Sequence, residues 1–241
     1  MIERLISFAA ADGDAYGSIA LSGERGAALL TVGERVLSLD NYVATRGSGT
    51  LRLSGEAGEL ILGLAAQTSQ LGFETGEGRS VGVQAVGVSG ESSGLEGLDG
   101  LDGFEATGVA WSIEGEDDQG GLRALWGAFD DGSLLVLFGL RPEGVPDHGD
   151  ETLAAARIAK DGAVISYEQP LLSTEYDAAG SPTRATLELW GDGEDDLPTR
   201  GAGSRTGGGR SRLGDSTLEA ARLALRLDGK PGVGGYEIFA S

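Results

Sequence analysis

Hydrophobic residues recur along the whole chain in short runs that are separated by Gly, Asp and Ser. Short apolar runs between turn-forming residues are typical of β-strands, whereas helices show longer runs with a period of about 3.6 residues. We therefore predict strands at 16–21, 27–32, 35–39, 50–53, 59–64, 80–88, 105–113, 122–129, 134–140, 153–159, 163–169, 171–176, 183–190, 218–227 and 236–240. So many closely spaced strands predict an all-β protein made of barrels or sandwich-like halves.

Three predicted connections contain Asp-Gly, at 131–132, 161–162 and 228–229. Both residue types tolerate the positive φ angles of tight hairpin turns. These turns predict that neighbouring strands are antiparallel.

The strand predicted at 80–88 contains four valines. Their positions, Val81, Val83, Val86 and Val88, indicate alternation with a slip at Ala85. A slip would move the apolar side chains from one face of the sheet to the other.

Two segments, 150–160 and 217–227, have compositions that also favour helices. Each carries acidic residues in its first turn behind a plausible N-cap, which is a helix signal. Against this, Leu223, Leu225 and Leu227 alternate with other residues, and Asp-Gly follows each segment at hairpin distance. The residues alone leave helix and strand open for both segments.

A Gly-rich and acidic segment at 91–104 separates the two halves of the chain. Its Leu95, Leu98, Leu101 and Phe104 recur every three positions between Gly and acidic residues, which gives a weak likeness to calcium-binding glycine-rich repeats. Such repeats need a doubled Gly and a nine-residue period, and this segment has neither. We predict that it is a linker between an N-terminal β half at 1–90 and a C-terminal β-barrel at 105–241.

A second Gly-rich segment lies at 201–214 and contains Arg205, Arg210 and Arg212. Gly-rich backbone with cations can hold phosphate, but a phosphate loop of the usual kind needs a Lys and a following helix, which this segment lacks. We predict a solvated hairpin loop there, with phosphate binding as the alternative.

The chain carries 18 basic and 38 acidic residues, a formal net charge of −20. Nucleic acids and anionic membrane surfaces bind through cations, so neither is an expected partner. The sequence has no stretch of about 18 apolar residues that would form a membrane helix, and no secretory signal. We therefore expect a cytoplasmic protein without membrane insertion.

Cys is absent and His occurs once, at position 148. These counts exclude disulfides, Cys nucleophiles and zinc sites of the usual type. His148 lies between Pro and Gly in an acidic loop, where neighbouring carboxylates favour its charged form rather than a resting general base. We expect no metal and no cofactor.

The aromatic residues are the strongest candidates for a binding site. All three Trp residues lie in predicted strands of the second half, and the first half has none. Rings that point into a closed barrel either fill it or line a cavity for an apolar ligand. Small residues beside them, such as Ala124 and Gly127, would leave interior volume. The predicted ligand-binding residues are Trp111, Trp126, Phe129, Tyr167 and Trp190.

Residues 104–241 resemble a known family in four stretches that occur in order. The stretches are GVAWSIEG around Trp111, LWGAFDDGSLLVLFGLRP, LLSTEYDAAGSPTRATLELW and LRLDGKPGVGGYEIFAS. They are similar to lipocalin-like proteins related to carotenoid hydratases, the hydroxyneurosporene synthase-like or AttH-like group. The resemblance implies two lipocalin-like antiparallel barrels in tandem, the first one shortened, and favours strands for both ambiguous segments.

The sequence departs from this group at a position that bears on activity. Members often carry His-Ser-Trp-Gly, and aligning that motif on Trp111 places Val109 at the His position and Ser112 at the Gly position. The resemblance therefore transfers no catalytic residue to this chain.

These observations leave three functional hypotheses. The first is binding of a small apolar molecule, such as an isoprenoid, lipid or polyketide, in the Trp-bearing second barrel. The alternative is a hydratase or cyclase that uses a buried carboxylate, for which Glu105, Glu175 and Glu188 are candidates. The third is a filled β protein that acts through its surface. A cavity separates the third from the others, and a buried carboxylate in that cavity separates the second from the first.

Overall fold

The computed structural model describes residues 2–12, 14–74, 80–96, 103–115, 119–142, 144–145, 151–193 and 197–240. Every regular element in these residues is a strand, as predicted. The strands are β1 (Arg4–Ala9), β2 (Ala15–Ser22), β3 (Arg25–Val32), β4 (Arg35–Gly47), β5 (Thr50–Gly55), β6 (Gly58–Ala66), β7 (Leu71–Glu74), β8 (Ser80–Ser93), β9 (Phe104–Glu114), β10 (Gln119–Phe129), β11 (Leu134–Pro142), β12 (Thr152–Ile158), β13 (Val164–Tyr167), β14 (Gln169–Tyr176), β15 (Pro182–Trp190), β16 (Thr199–Leu213), β17 (Ser216–Leu227) and β18 (Lys230–Ala240).

The first nine strands form one antiparallel sheet in the order β6-β5-β4-β3-β2-β1-β9-β8-β7. Strand β6 also pairs with β8, from Glu59 opposite Ser93 to Ala66 opposite Val86. This pairing closes eight strands into a barrel and leaves β7 attached outside the closure. The first half is therefore a complete barrel rather than a shortened one.

The remaining nine strands form a second antiparallel sheet in the order β13-β12-β11-β10-β18-β17-β16-β15-β14. Its two edge strands, β13 and β14, are joined by Glu168 alone, and β14 contacts β12 without a ladder between the two edges. The second sheet is therefore a nearly closed barrel. Two barrels in tandem confirm the predicted architecture.

The chain passes from the first sheet to the second after the predicted linker and not within it. Strand β8 continues to Ser93, and β9 inserts between β1 and β8 of the first barrel. Thus β9, which includes Trp111, belongs to the first barrel, and the change of sheet lies between Glu114 and Gln119. Residues 97–102 of the predicted linker and His148 lie outside the described residues.

Both segments with ambiguous composition are strands, β12 and β17. The Asp-Gly turn after β17 has positive φ at both residues, 48° at Asp228 and 80° at Gly229. This is the geometry that a two-residue hairpin requires, because its twist matches that of the flanking strands.

The prediction of a solvated loop at 201–214 is wrong, because residues 201–213 belong to β16. Glycine weakens a strand and offers no side chain to pack, so the sequence shows no strand pattern there. In the structure the glycines allow close approach: a Cβ on Gly203 would lie 2.6 Å from Leu225 Cδ2, and one on Gly209 would lie 3.2 Å from Leu29 Cδ1. Strand β16 thereby packs on β3 and β4 of the first barrel.

Three large apolar cores hold the molecule together, and a small fourth cluster of Ala85, Leu134 and Ile158 lies where β8 meets β11 and β12. One fills the first barrel, one fills the second barrel, and the third lies between the two barrels and includes side chains from both. Strand β8 shows the consequence for the sequence: its pairing with β9 is continuous, so no slip occurs at Ala85. Val81 and Val83 belong to the core between the barrels, whereas Val86 and Val88 point into the first barrel. Both faces of this strand are buried.

Candidate functional site

Two of the predicted ligand-binding residues, Trp111 and Trp126, lie in the core between the barrels. Trp111 projects from β9 of the first barrel and Trp126 from β10 of the second, and both are almost completely buried. The ring of Trp111 packs edge-on against Phe138, with ring centroids 6.1 Å apart. Neither indole N–H has a hydrogen-bond partner among the described residues.

The other three predicted residues lie elsewhere. Phe129 and Tyr167 pack into the core of the second barrel. Trp190 follows the inward-facing Leu189 on β15, so it lies on the outer face of that strand, where it is half-buried. The expected free volume beside Gly127 is occupied, because a Cβ there would lie 2.5 Å from Leu225 Cδ1. The structure thus does not bring the five residues together in one cavity.

A carboxyl group lies buried between the barrels. Glu237 on β18 follows the inward-facing Tyr236, so it points out of the second barrel toward the first, and it is 1% exposed. Its Oε1 accepts hydrogen bonds from Ser7 Oγ at 2.5 Å and from Tyr16 Oη at 2.7 Å. Its Oε2 has no partner among the described residues.

Burial raises the pKa of Glu237 to about 7, and the hydrogen bonds from Ser7 and Tyr16 limit the rise. The indole of Trp126 also lowers this pKa, although its Nε1 lies outside hydrogen-bonding geometry. Burial together with the charge of Glu237 raises the pKa of Tyr16 well above its ordinary value. Near neutral pH, Glu237 can therefore both hold and release a proton.

None of the three carboxylates proposed from the sequence is buried in this way. Glu105 and Glu175 are exposed, and Glu188 is partly exposed beside Arg200, with Oε1 3.2 Å from its Nε. Glu237 lies in the Gly-Gly-Tyr-Glu stretch of the last strand. The sequence did not identify it as buried, because strand alternation alone does not reveal that both faces of β18 are buried. Val109, at the position of the group's His, lies in the apolar core between the barrels.

A pocket of about 360 Å³ opens into the first barrel. We call it the first-barrel pocket. Its apolar wall consists of inward-facing side chains from β1, β2, β5, β6, β8 and β9, namely Ile6, Leu21, Leu51, Leu64, Val86 and Ala110. Its polar residues include Arg4, Arg46 and Gln84. It is a concave apolar site with a few polar groups, the usual form of a small-molecule site.

The polar groups of this pocket differ in how they are engaged. Arg46 pairs with Glu3 at 3.1 Å and donates to the carbonyl oxygen of Gly23 at 2.7 Å. Gln84 donates through Nε2 to the carbonyl oxygen of Thr68 at 2.8 Å. Within the described part of the chain, Arg4 makes no side-chain hydrogen bond or ion pair, so its guanidinium is free to meet a ligand.

The second barrel contains a buried ion pair beside its apolar core. Arg123 donates to Glu151, and its Nη1 lies 3.2 Å from the hydroxyl of Tyr236. That hydroxyl also lies 2.9 Å from Thr174 Oγ1. Burial raises the pKa of Tyr236, which keeps its hydroxyl protonated. Because these groups satisfy one another, they resemble a structural network more than an open site.

The described residues contain no candidate metal site and no candidate membrane-spanning helix. No group of three or more His, Asp or Glu side chains there is placed to hold a metal ion. Among the elements described, none is a helix long and apolar enough to cross a membrane.

Two solved structures resemble the chain over almost its whole length. No protein-family model matches the sequence, and no curated protein is significantly similar to it in sequence. The crystal structure of a protein provisionally assigned as AttH, from Nitrosomonas europaea, has a TM-score of 0.60 at 15% identity, covering 98% of this chain and 90% of that one. The crystal structure of kievitone hydratase from Nectria haematococca has a TM-score of 0.63 at 11% identity, covering 98% and 87%. The chain therefore has the tandem lipocalin-like barrel fold that these two proteins share.

Proposed function

We propose that this protein binds a small, largely apolar molecule in the first-barrel pocket, with the polar end of that molecule at Arg4. The observation that carries the proposal is the combination of an apolar wall with a guanidinium that has no partner within the described residues. A volume of about 360 Å³ is within the range of small-molecule sites. An isoprenoid, lipid or polyketide of modest size has the required chemistry.

The proposal moves the expected site from the second barrel to the first. Trp111 and Trp126 pack between the barrels, and Leu225 fills the space beside Gly127. A ligand at those positions would have to displace well-packed side chains, whereas the first-barrel pocket is open already. Ligand contact at the predicted aromatic residues remains a prediction that substitution can test.

The first test fills the pocket. Ala110 lines the pocket and Ala57 lies exposed in the turn between β5 and β6, so Ala110→Phe and Ala57→Phe add the same ring inside and outside it. The probe is 1-anilinonaphthalene-8-sulfonate, which has apolar rings and one anionic group. We expect Ala110→Phe to weaken fluorescent binding of the probe about tenfold or more, since the added ring occupies the volume that the dye needs. Equal affinity in the two variants would contradict the proposal.

The second test removes the positive charge of Arg4 from the first-barrel pocket. Arg4→Gln should weaken binding of the same dye several-fold, because a charge-assisted hydrogen bond to its sulfonate is lost. Arg25→Gln is the matched control, because Arg25 is an exposed residue of the same barrel outside the pocket. If both substitutions reduce binding equally, the effect is one of net charge and Arg4 does not define the polar end.

A second candidate function is proton-transfer chemistry of the hydratase kind, and Glu237 is the observation that favours it. The carboxyl group is buried, one of its oxygens is unpartnered, and its pKa of about 7 suits a general acid. Glu237 does not line the first-barrel pocket, however, nor two other pockets, of about 580 and 470 Å³, that the described residues form. Catalysis there would require the two barrels to separate locally, so ligand binding is the better-supported function.

Kievitone, the compound from which the hydratase of the same fold takes its name, is a direct probe of this second candidate. Mass spectrometry would follow the gain of one water molecule after incubation with the protein. If Glu237 is the acid, Glu237→Gln abolishes the product while Glu24→Gln, an exposed control, does not. Product formation that survives Glu237→Gln excludes this role for the residue.

A further inference from the structure

A second pocket, of about 470 Å³, lies at one end of the second barrel, where β16 extends beyond β15. We call it the second-barrel pocket. Its lining residues come from β16, β17 and β18, with one residue of β4 from the first barrel: Asp40, Arg210, Ser211, Arg212, Thr217, Glu219, Ile238 and Ala240. It shares no residue with the first-barrel pocket and differs from it in being rich in charged side chains.

One buried polar atom on the pocket's face of the sheet has no hydrogen-bond partner within the described residues: Glu219 Oε1. Glu219 is 8% exposed. Buried polar atoms are almost always satisfied in native proteins, because leaving one unpaired costs its full desolvation free energy. Because Glu219 is also a lining residue of the pocket, its unpaired carboxylate oxygen points to a ligand with a hydrogen-bond donor.

The charges of the pocket balance one another. Arg210 Nε donates to Glu219 Oε2 at 2.6 Å, and its Nη2 donates to the carbonyl oxygen of Ala179 at 2.6 Å. The carboxylate of Asp40 accepts the backbone N–H of Arg212 at 2.7 Å, which attaches β16 to the first barrel. The exposed guanidinium of Arg212 has no side-chain partner in the part of the chain that the structure describes. The pocket thus offers one free acceptor and one free cation.

We propose that the second-barrel pocket binds a small zwitterion of the amino-acid type. Its ammonium group would donate to Glu219 Oε1, and its carboxylate would accept from the guanidinium of Arg212. Arg212 pairs with Thr217 across β16 and β17, and Glu219 lies two residues beyond Thr217 on the same face. This spacing, about 7 Å along the strand, is spanned by the two long side chains and one ligand backbone.

The charge balance argues against simpler ligands. A phosphate ion would meet Arg212, but it would also meet the carboxylates of Glu219 and Asp40. A simple amine would meet Glu219, but it would lie beside two guanidinium groups. Ile238 and Ala240 give the pocket an apolar wall, which suits an uncharged ligand side chain.

The experiment is isothermal titration calorimetry of the full chain with L-serine and with two molecules that each lack one of its charges. Ethanolamine lacks the carboxylate, and 3-hydroxypropanoate lacks the ammonium group. Inorganic phosphate is the third comparison. We expect L-serine to bind at least about tenfold more tightly than any of the three. Ethanolamine and 3-hydroxypropanoate each lose one charge-assisted hydrogen bond, and phosphate meets the carboxylates of Glu219 and Asp40.

Two pairs of variants locate the site. Glu219→Gln removes the negative charge of the free acceptor and can place an NH2 donor there. Arg212→Gln removes the free cation. Each substitution should therefore weaken L-serine binding about tenfold. The controls are Glu168→Gln and Arg226→Gln, which change exposed residues of the second barrel outside the pocket. If Glu219→Gln fails to fold, Arg212→Gln still decides, because Arg212 is exposed. Absence of L-serine binding, tighter binding of phosphate, or equal losses in controls and site variants would overturn the proposal.

Discussion

Replacing Glu237 by Gln should change how stability depends on pH, because the buried carboxyl group titrates differently in the folded and unfolded chains. Its pKa is about 7 in the folded protein and 4.5 as the ordinary value. Each unit of difference corresponds to about 1.4 kcal/mol, so ionisation of this group costs the folded state about 3 kcal/mol. Gln has the same shape, keeps an oxygen for the hydrogen bonds from Ser7 and Tyr16, and cannot ionise.

The direction of this pH dependence follows from the number of protons that the folded and unfolded chains bind. Between pH 4.5 and about 7 the folded chain holds a proton on Glu237 that the unfolded chain has lost, so the wild-type protein loses stability as the pH rises. Above about pH 7 both states are ionised and the loss is complete. The free energy of unfolding of Glu237→Gln relative to wild type should therefore rise by about 3 kcal/mol from pH 4 to pH 8.

Urea denaturation of both proteins at several pH values between 4 and 8 gives this difference, and subtraction removes the contribution of all other titrating groups. Glu91→Gln, which changes an exposed carboxylate of the first barrel, is the control and should show no such rise. A constant difference between Glu237→Gln and wild type across this range would refute the argument, because it would mean that the carboxyl group titrates near its ordinary value.

Three further changes have distinct outcomes. Trp111→Ala should lower the free energy of unfolding by about 3–5 kcal/mol, since the ring is completely packed between the barrels. Dye binding in the first-barrel pocket should survive this substitution. A small loss of stability together with lost dye binding would instead support the predicted ligand contact of Trp111. Arg123→Met should cost about 3–5 kcal/mol in chemical denaturation because it leaves the carboxylate of Glu151 buried without its cation, and Arg123→Met with Glu151→Leu should recover much of the loss. Hydrogen bonds from Lys230 and Ser133 hold the pKa of Asp131 below its usual range, so acid should remove this stabilisation as the pH falls below about 4. In urea denaturation extended from about pH 4 to about pH 2, Asp131→Asn should therefore lose less stability than wild type.

Most of the strands and their turns, though not β1 or β7, could be predicted because they depend on local patterns. Short apolar runs predict strands, and Asp228-Gly229 fixes a hairpin through its positive φ angles. Strand β16 could not be predicted, because its glycines are explained only by side chains such as Leu225 and Leu29 that approach from distant parts of the chain. The resemblance to a tandem-barrel family supplied the architecture that local patterns leave open.

The sites were harder to predict because a strand with two buried faces has no distinctive alternation. On β9, Val109, Trp111 and Ile113 alternate with small or polar residues and so share one face of the strand. This alternation cannot tell the inside of a barrel from the core between two barrels. The same ambiguity hides Glu237, whose neighbour Tyr236 points into the second barrel. Only the closure of the first sheet through β6 and β8 reveals which side chains surround the first-barrel pocket.

The most direct test of ligand binding in the first barrel is a methyl NMR titration with 1-anilinonaphthalene-8-sulfonate on protein labelled at Ile, Leu and Val. The proposal predicts that the largest shifts occur at side chains of the first-barrel pocket, such as Ile6, Leu51 and Val86. Shifts concentrated at Leu125 and Leu187, inside the second barrel, would contradict it and would restore the original prediction of a ligand there.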